Sequence, residues 1–588
     1  MKKSNKFLAM LLSIIVALSV TFTATACGVE NLDDGEHDDQ TTIRVYVYNG
    51  GGGSQWLYKA AEKFQTLKAK EKYHADKEGV YIDIFPAKDR PQSTEFKTSG
   101  TNIYFDSYGI SELLEDDLIL PLDDVYNTPI DDMDGDGVLE TTLKDKFVNE
   151  ALPAFKGSDG KFYGVPYYNL THGFSLDAML FDKYCAYFAA PDNEAGNVTT
   201  YTSKYGTSKM LTNLAGKKSC GTDGVYGTTD DGLPSSLEEL LTVCQYLQSC
   251  GVIDIINSPG AHEKYSNMLV QALWETLAGV DEMRATMNMS GKIKVVTGYK
   301  DENLFPGIDY IKAPIVEEKT ITKETAYLAY RSAARYYAIA TADIMHTEGF
   351  FSGDCNKNTM QMTQMQERFV LNGLRNINEK AFLLEGNYWF NEAAEFTEAF
   401  KYYDEYAKVA GREDIGDRKV IWMASPTTLK GSIEEGKANQ VCCLGSSGAV
   451  VVNRNVEGDE GLVRAIKEFL MFLYTQEELE EYAKNTGLKY NSLNYQLSNE
   501  VYESLPTRQI NTLKALDNAV WVYKSTDIDL WTTQATKIGV NYRSNIHSSR
   551  YVNTVYYSVL KALIAGSDAK TIFEDSYFTE KQWEDFLK

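Results

Sequence analysis

From Thr42 to Tyr48 polar and apolar residues alternate, with Ile43, Val45 and Val47 on one face, the period of a half-buried strand. The alternation stops at Asn49-Gly50-Gly51-Gly52-Gly53-Ser54. Trp56, Leu57, Ala60, Ala61 and Phe64 then recur at helical spacing, with Ser54 placed as the N-cap. Val80–Phe85 and Asn102–Phe105 read as a second and a third strand. A strand, a glycine turn and a helix followed by more strands open a doubly wound α/β unit, in which ligands meet the carboxyl ends of the strands. Farther on, Ser235 and Ser236 stand three residues before Glu238 and Glu239, a doubled capping box, and Leu237, Leu240, Leu241, Cys244 and Leu247 supply the apolar stripe of a helix. Thr475 with Glu478 repeats the signal, and Gly487 can end that helix. The Ala- and Tyr-rich stretch Lys323–Met345 also reads as helical.

The amino end has a different pattern. Lys2, Lys3 and Lys6 precede an apolar run from Phe7 to Val20, and Ala24-Thr25-Ala26-Cys27-Gly28 follows. A run of about 14 apolar residues is short for a membrane span, which takes about 20, but suits the core of an export signal. The small residues before Cys27 resemble a bacterial lipobox. That likeness implies cleavage after residue 26, acylation of the Cys27 thiol (palmitate among the chains) and a place on the external face of the cytoplasmic membrane, as in a Gram-positive cell. Residues 27–40, acidic and polar, read as a solvated spacer.

About 560 residues remain after such a leader, too many for one core and enough for two lobes. Hydrophobic residues make up 43% of the chain, as expected for a folded protein. Loss of Lys2, Lys3 and Lys6 takes the formal charge from −25 to −28, which disfavours nucleic acid and free anions. Tyr occurs 39 times and Trp 7 times, an ample stock of flat rings with a polar handle, which suits a sugar-binding cleft. Seven cysteines follow Cys27: Cys185, Cys220, Cys244, Cys250, Cys355, Cys442 and Cys443. Their odd number and the lack of a CxxC spacing point to buried free thiols rather than zinc or a full disulfide set. The turn at Gly50–Gly53 is not GxGxxG, and no P-loop lysine follows, so a nucleotide site is not indicated.

Several segments, taken in order, resemble the extracellular solute-binding proteins of carbohydrate ABC transporters, the family of maltose-binding protein. They are Tyr48–Ser54 with its helix, Asn102-Ile103-Tyr104-Phe105-Asp106 followed by Leu118-Ile119-Leu120-Pro121-Leu122-Asp123, Tyr163-Gly164-Val165-Pro166-Tyr167-Tyr168-Asn169, and Leu233-Pro234-Ser235-Ser236-Leu237-Glu238-Glu239. Phe382-Leu383-Leu384-Glu385-Gly386-Asn387-Tyr388-Trp389 and the tail Ala465–Tyr482 with Gly487-Leu488-Lys489-Tyr490-Asn491 complete the set. Leu176-Asp177 departs from the family's usual Tyr-Asn and Tyr490 from its usual Pro; both read as details of the cleft wall. The resemblance implies a two-lobed type II periplasmic-binding-protein fold with the ligand between the lobes. Its divisions would be a first lobe at 41–165 with a return segment at 441–495, and a second lobe at 166–440 with closing helices at 496–588. It further implies an oligosaccharide ligand, permease subunits as partners, a monomer, and no catalytic residues.

Candidate ligand residues follow from strand ends and from the resemblance. Asn49, Gln55 and Trp56 stand after the first strand; Asp106, Ser107 and Tyr108 after the third; Tyr168 and Asn169 at the crossing between lobes. Glu263 and Tyr265 fall where the family often places a cleft aromatic. Trp389 with Glu392 is the leading candidate for stacking on a sugar face, followed by Trp422 and Trp531, whereas Trp274 shares an apolar helical face and reads as core.

Two acidic loops raise a calcium reading. Asp132, Asp134, Asp136 and Gly137 match the opening of a calcium loop, with the Val138 carbonyl as a further ligand, but the twelfth position is Leu143 rather than Glu. Asp223, Asp230 and Asp231 bunch among glycines. Either ion would be structural. Two other functions compete with sugar capture: a receptor for another polar solute such as a peptide, and a secreted glycosidase with paired carboxylates. With 83 acidic residues such pairs are unavoidable, and no nucleophile elbow or HExxH motif is present.

Overall fold

The structure is a computed structural model that describes residues 37–89, 91, 93–107, 110–167, 171–262, 264–372, 374, 378–409, 418–431, 433, 441–444, 448–523, 558–576 and 579–587. In chain order, β1 (Thr41–Tyr48), β2 (Val80–Ala87), β3 (Ile103–Ser107) and β4 (Val165–Pro166) come first. The chain goes on to β5 (His172–Asp177), β6 (Asp254–Asn257), β7 (Lys380–Gly386) and β8 (Val420–Met423), then β9 (Val441–Leu444), β10 (Ala449–Val452) and β11 (Val520–Tyr523). The helices that matter for the site are α1 (Gln55–Leu67), α2 (Leu237–Ser249), α3 (Lys264–Asn288), α4 (Met362–Val370), α5 (Trp389–Thr397), α6 (Ala399–Val409), α7 (Glu460–Leu473), α8 (Gln476–Thr486) and α9 (Thr507–Asp517).

Among the described residues, two larger sheets organise the chain. The first has the order β2-β1-β3-β10-β4, with β1, β2 and β3 parallel and β10 antiparallel to its neighbours. Ile43, Val45 and Val47 are fully buried and pack with Leu57, Phe64, Phe469 and Leu470 from α1 and α7. The second has the order β6-β7-β5-β8, in which β6, β7 and β8 run one way and β5 the other. Its core is built from Phe174, Leu176, Leu240, Leu273 and Phe382. Two sheets with separate cores and helices on their faces make a two-lobed α/β protein. The first core runs on through Val501, Leu505 and Leu513, past residue 495 where the sequence divided the lobes.

Strand direction determines where a site lies. The chain leaves the first sheet at Pro166 and enters the second at His172, whose register partner is Gly386 at the carboxyl end of β7. It returns through β9, paired in parallel with β11, to Ala449 opposite Ser107 at the carboxyl end of β3. These connections bring the carboxyl edges of both sheets to the same side, the edge at which open α/β sheets take ligands.

The local signals behave as their chemistry requires. Ser236 Oγ accepts the Glu239 N–H at 3.1 Å, Glu239 returns to Ser235, Thr475 accepts from Glu478, and Gly487 closes α8 with φ 64°. Ser54 differs: it stands at the N-cap of α1, but its side chain makes no capping bond. Residues 323–347 form a 3-10 helix, Lys323–Arg331, and then the α-helix Ala333–Thr347. Before them a long hairpin, Gly291–Phe305 with Ile308–Ile321, packs against α3. Cys185, Cys220, Cys244, Cys250 and Cys355 are free thiols, with Cys220, Cys244 and Cys355 buried.

Candidate functional site between the lobes

The junction starts from the glycine turn after β1. Gly51 and Gly53 have φ of 63° and 69°, a region open to glycine at little cost; the Gly53 N–H closes the turn on the Gly50 carbonyl, and the Gly51 N–H faces the other lobe. The Gly51 N–H donates to Glu392 Oε1 at 3.0 Å, and the Gln55 N–H at the start of α1 donates to the Glu395 carboxylate. A Cβ on Gly53 would lie 2.2 Å from Glu395 Oε1, so the approach leaves no room for a side chain. The helix end that Ser54 leaves uncapped is therefore met by a carboxylate from the second lobe, where the helix dipole favours negative charge.

Behind this contact lies a buried acidic pair. Gln366 Nε2 of α4 donates to Glu385 Oε1 at 3.1 Å and to Glu392 Oε2 at 2.9 Å, and Tyr265 of α3 hydrogen-bonds Glu385. Burial, then the charge of Glu392, pushes the Glu385 carboxyl well above its ordinary value. Burial raises Glu392 too, against the N–H bonds from Gly51 and Gln366. Tyr388 bridges the lobes by packing against the first core.

Next to this junction, a cavity of about 360 Å³ opens where β8 ends. It is lined by Asp223, Thr228, Thr229 and Asp230, by Ala424, and by Lys514, Asp517 and Asn518 from the end of α9. Hydroxyls, carboxylates, an amide and an ammonium around one space suit a ligand with many hydroxyl groups. Lys514, Asn518 and the two threonines were not singled out from the sequence; only the fold brings α9 against the Asp223 loop.

The candidates named from the sequence distribute unevenly. Asn49 follows β1 and is half-buried, with a buried Oδ1 that has no hydrogen-bond partner, and the Gln55 side chain is exposed. Asp106 and Ser107 are the last residues of β3. Tyr108, Tyr168, Asn169, Glu263 and Trp531 lie outside the described residues, as does Cys27. Tyr265 and Glu392 belong to the buried junction. The tryptophans require correction. Trp389 is fully buried among Phe369, Phe390 and Phe400, and its indole N–H donates to Ser175 Oγ at 2.8 Å, so both ring faces are taken up by the protein. Trp422 is fully buried against Leu516, and Trp56 packs on Phe105, Tyr167 and Tyr482. Aromatic side chains bury the most apolar area per residue, and here core packing took them. Trp274 is core, as its helical face indicated.

The two departures from the family pattern also sit away from a cleft wall. Asp177 ends β5 at the edge remote from Gly386, and Tyr490 stacks on Tyr482 inside the first core, with ring centroids 4.5 Å apart.

In the first acidic loop, Asp132, Asp134 and Asp136 converge together with Glu140, which sequence reading missed: one oxygen of each lies within 4.8 Å of the others. Asp132 accepts the N–H groups of Gly135, Asp136 and Gly137, which hold its carboxyl below the usual range. An all-oxygen set suits a hard cation, but Leu143, buried at the twelfth position, withholds the bidentate ligand of a tight site. In the second loop the carboxylates turn to backbone instead. Asp230 accepts from Thr222 and Asp223, and Asp231 from Gly227. Among the described residues only the first loop gathers three or more such groups.

No family model matches the chain, and no curated protein matches it. Solved structures do. The chain is similar to a chitin oligosaccharide binding protein, with TM-score 0.51 and 13% identity over 93% of this chain and 98% of that one. It is similar to maltose-bound MalE3 of T. maritima, with TM-score 0.50 and 13% identity over 93% and 100%. A mannobiose-bound binding protein of an ABC transporter from Bifidobacterium animalis subsp. lactis gives TM-score 0.50 and 11% identity over 96% and 99%. At such identities the likeness is one of fold: this chain has the two-lobed fold of these sugar-binding proteins along nearly its whole length.

Proposed function

We propose that this protein is the substrate-binding subunit of an ABC importer and captures an oligosaccharide between its lobes. One observation carries the reading: the carboxyl edges of both sheets face one junction, and a cavity lined by hydroxyl, carboxylate and amide groups opens beside it. The similar structures supply the ligand class, since those proteins are named for binding chitin oligosaccharide, maltose and mannobiose. The chain binds its ligand and passes it on without chemistry. In this reading the leader is removed and Cys27 carries the acyl chains that hold the protein outside the cell. Among the described residues no helix is long and apolar enough to cross a membrane.

A thermal-shift screen against chito-, xylo-, malto- and manno-oligosaccharides, with peptides alongside, tests the proposal. A ligand of the right class raises the melting temperature by mass action, with a Kd of about 1 μM, near −8 kcal/mol. Response to peptides alone would change the solute, and hydrolysis of a glycoside would replace capture by catalysis. Labelling with an alkynyl fatty acid, retained by the native chain and lost in Cys27→Ala, tests the anchor.

A further inference from the structure

The junction does more than mark a cleft. Its two lobes are joined by carboxylates of α5 bonded to N–H groups of the glycine turn and α1. Glu392 is 3% exposed, while Glu385 and Gln366 are fully buried. Such burial of a carboxylate pair is costly unless charge is compensated, and the donors here are neutral: Gly51 N, Gly386 N, the Gln366 amide and the Tyr265 hydroxyl. We propose that Glu392, with Glu395 beside it, is an acid-favoured latch that draws the two lobes together across the glycine turn. The inference rests on the two-lobed fold and not on the identity of the sugar.

The surroundings determine its direction. The titratable groups facing the latch are Glu385 on β7, Glu395 on the same helix, Tyr265 from α3, Tyr388, and Tyr48 from the first lobe. The cations on the surrounding elements are engaged elsewhere, Arg508 of α9 over the Phe400 ring at 3.8 Å among them. Arg368 on α4 pairs with Asp354 at 2.9 Å, Lys380 at the far end of β7 with Asp254 at 2.8 Å, Arg418 with Asp177 at 2.8 Å, and Lys401 on α6 with Glu398 at 3.0 Å. Opening the lobes returns Glu392 to water and to an ordinary carboxylate value. The closed form, in which that value is raised, thus holds more protons than the open form. Closure is favoured in acid and weakens as pH climbs past the ordinary carboxylate range toward the raised value. The pair titrates jointly, since the two carboxyls share one amide. Glu395, on the solvent side of the helix, is more screened and adds less.

Small-angle scattering of the ligand-free intact chain between about pH 5 and pH 8, above the ordinary carboxylate range, reads the latch directly. The radius of gyration is expected to grow as pH rises. In Glu392→Gln, which keeps an acceptor for the Gly51 N–H but no titrating proton, the slope should shrink to the small part left to Glu395; in Glu392→Ala the open value should hold throughout. A wild-type radius independent of pH, or an undiminished slope in Glu392→Gln, overturns the proposal. Should the variants fold poorly, hydrogen exchange at the Gly51 amide of the native chain decides. Once corrected for the intrinsic pH dependence of exchange, its protection should fall with rising pH while that of Val45 and Val47 stays; equal behaviour overturns the latch. Saccharide binding is read separately, so failure of one leaves the other intact.

Discussion

Arg418 holds Asp177 through two parallel contacts, Nη1 to Oδ1 and Nη2 to Oδ2, each 2.8 Å long. Both side chains are buried, and the remaining capacity of each is met: Arg418 donates to the carbonyls of Val370 and Phe369, while Asp177 accepts from Asn372 and caps the helix Ala178–Tyr184 through Leu180 N–H. Removing one partner strands the other. Asp177→Ala is expected to cost about 3–5 kcal/mol in urea unfolding, more than the double variant with Arg418→Met, because a lone buried charge is worse than none.

Trp389 is a packing residue, and its variants should show that. Trp389→Ala should lose about 3–5 kcal/mol of stability. Trp389→Phe, which gives up the bond to Ser175, should lose about 1 kcal/mol with saccharide affinity unchanged. A large loss of affinity in a stably folded Trp389→Phe would restore the stacking role read from the sequence.

Saccharide contact is expected instead at the cavity beside α9. Asn518→Ala should weaken binding about five- to tenfold, the worth of one hydrogen bond near 1 kcal/mol, and leave the melting temperature of the free protein in place. Calorimetric titration with the best ligand of the screen is the measurement.

Asp223, at the rim of that cavity, is pushed up to about 6, first by burial and also by the charge of Asp230, against an N–H bond from Val225. A raised carboxyl gives the folded state more protons than the unfolded one, so its contribution is favourable in acid and is lost as pH rises from about 4 to 6. Asp223→Asn should therefore melt higher than the native chain above pH 6 and alike near pH 4. Melting curves across that interval check the sign.

The loop from Asp132 to Glu140 gives a cation test. Calcium at about millimolar concentration, the range of extracellular modules, should raise the melting temperature slightly. Asp134→Asn, which removes a charge but keeps the turn, should abolish that response. An unchanged native chain would reduce the loop to a set of hydrogen-bonded turns.

The elements legible from sequence were those whose cause is local. Alternation at Ile43, Val45 and Val47 and the stripe Trp56, Leu57, Ala60, Ala61, Phe64 became a strand and a helix with those residues buried. Ser236 and Thr475 cap as written because each partner is three residues away. Motifs in series also conveyed the two-lobed fold. The site was less legible, since its contacts are remote in the chain. Trp389 meets Ser175 from 214 positions away, Gly51 meets Glu392 across 341, and no periodicity reports either. An aromatic placed by resemblance alone cannot be sorted into cleft or core, and here the core had the nearer claim. Ser54 shows the same limit at short range: a good capping residue has helical backbone angles and makes no capping bond, and Glu395 from the other lobe meets the helix end instead.

The insertion of β10 between β3 and β4 has a consequence for biogenesis. A chain emerging from the ribosome amino end first presents β1, β2 and β3 with one flank of backbone bare, and the strand that covers it arrives roughly 340 residues later, from Ser107 to Ala449, a long loop to close. Nascent molecules must stay soluble through that interval, and a product truncated before Ala449 would keep the bare flank and aggregate.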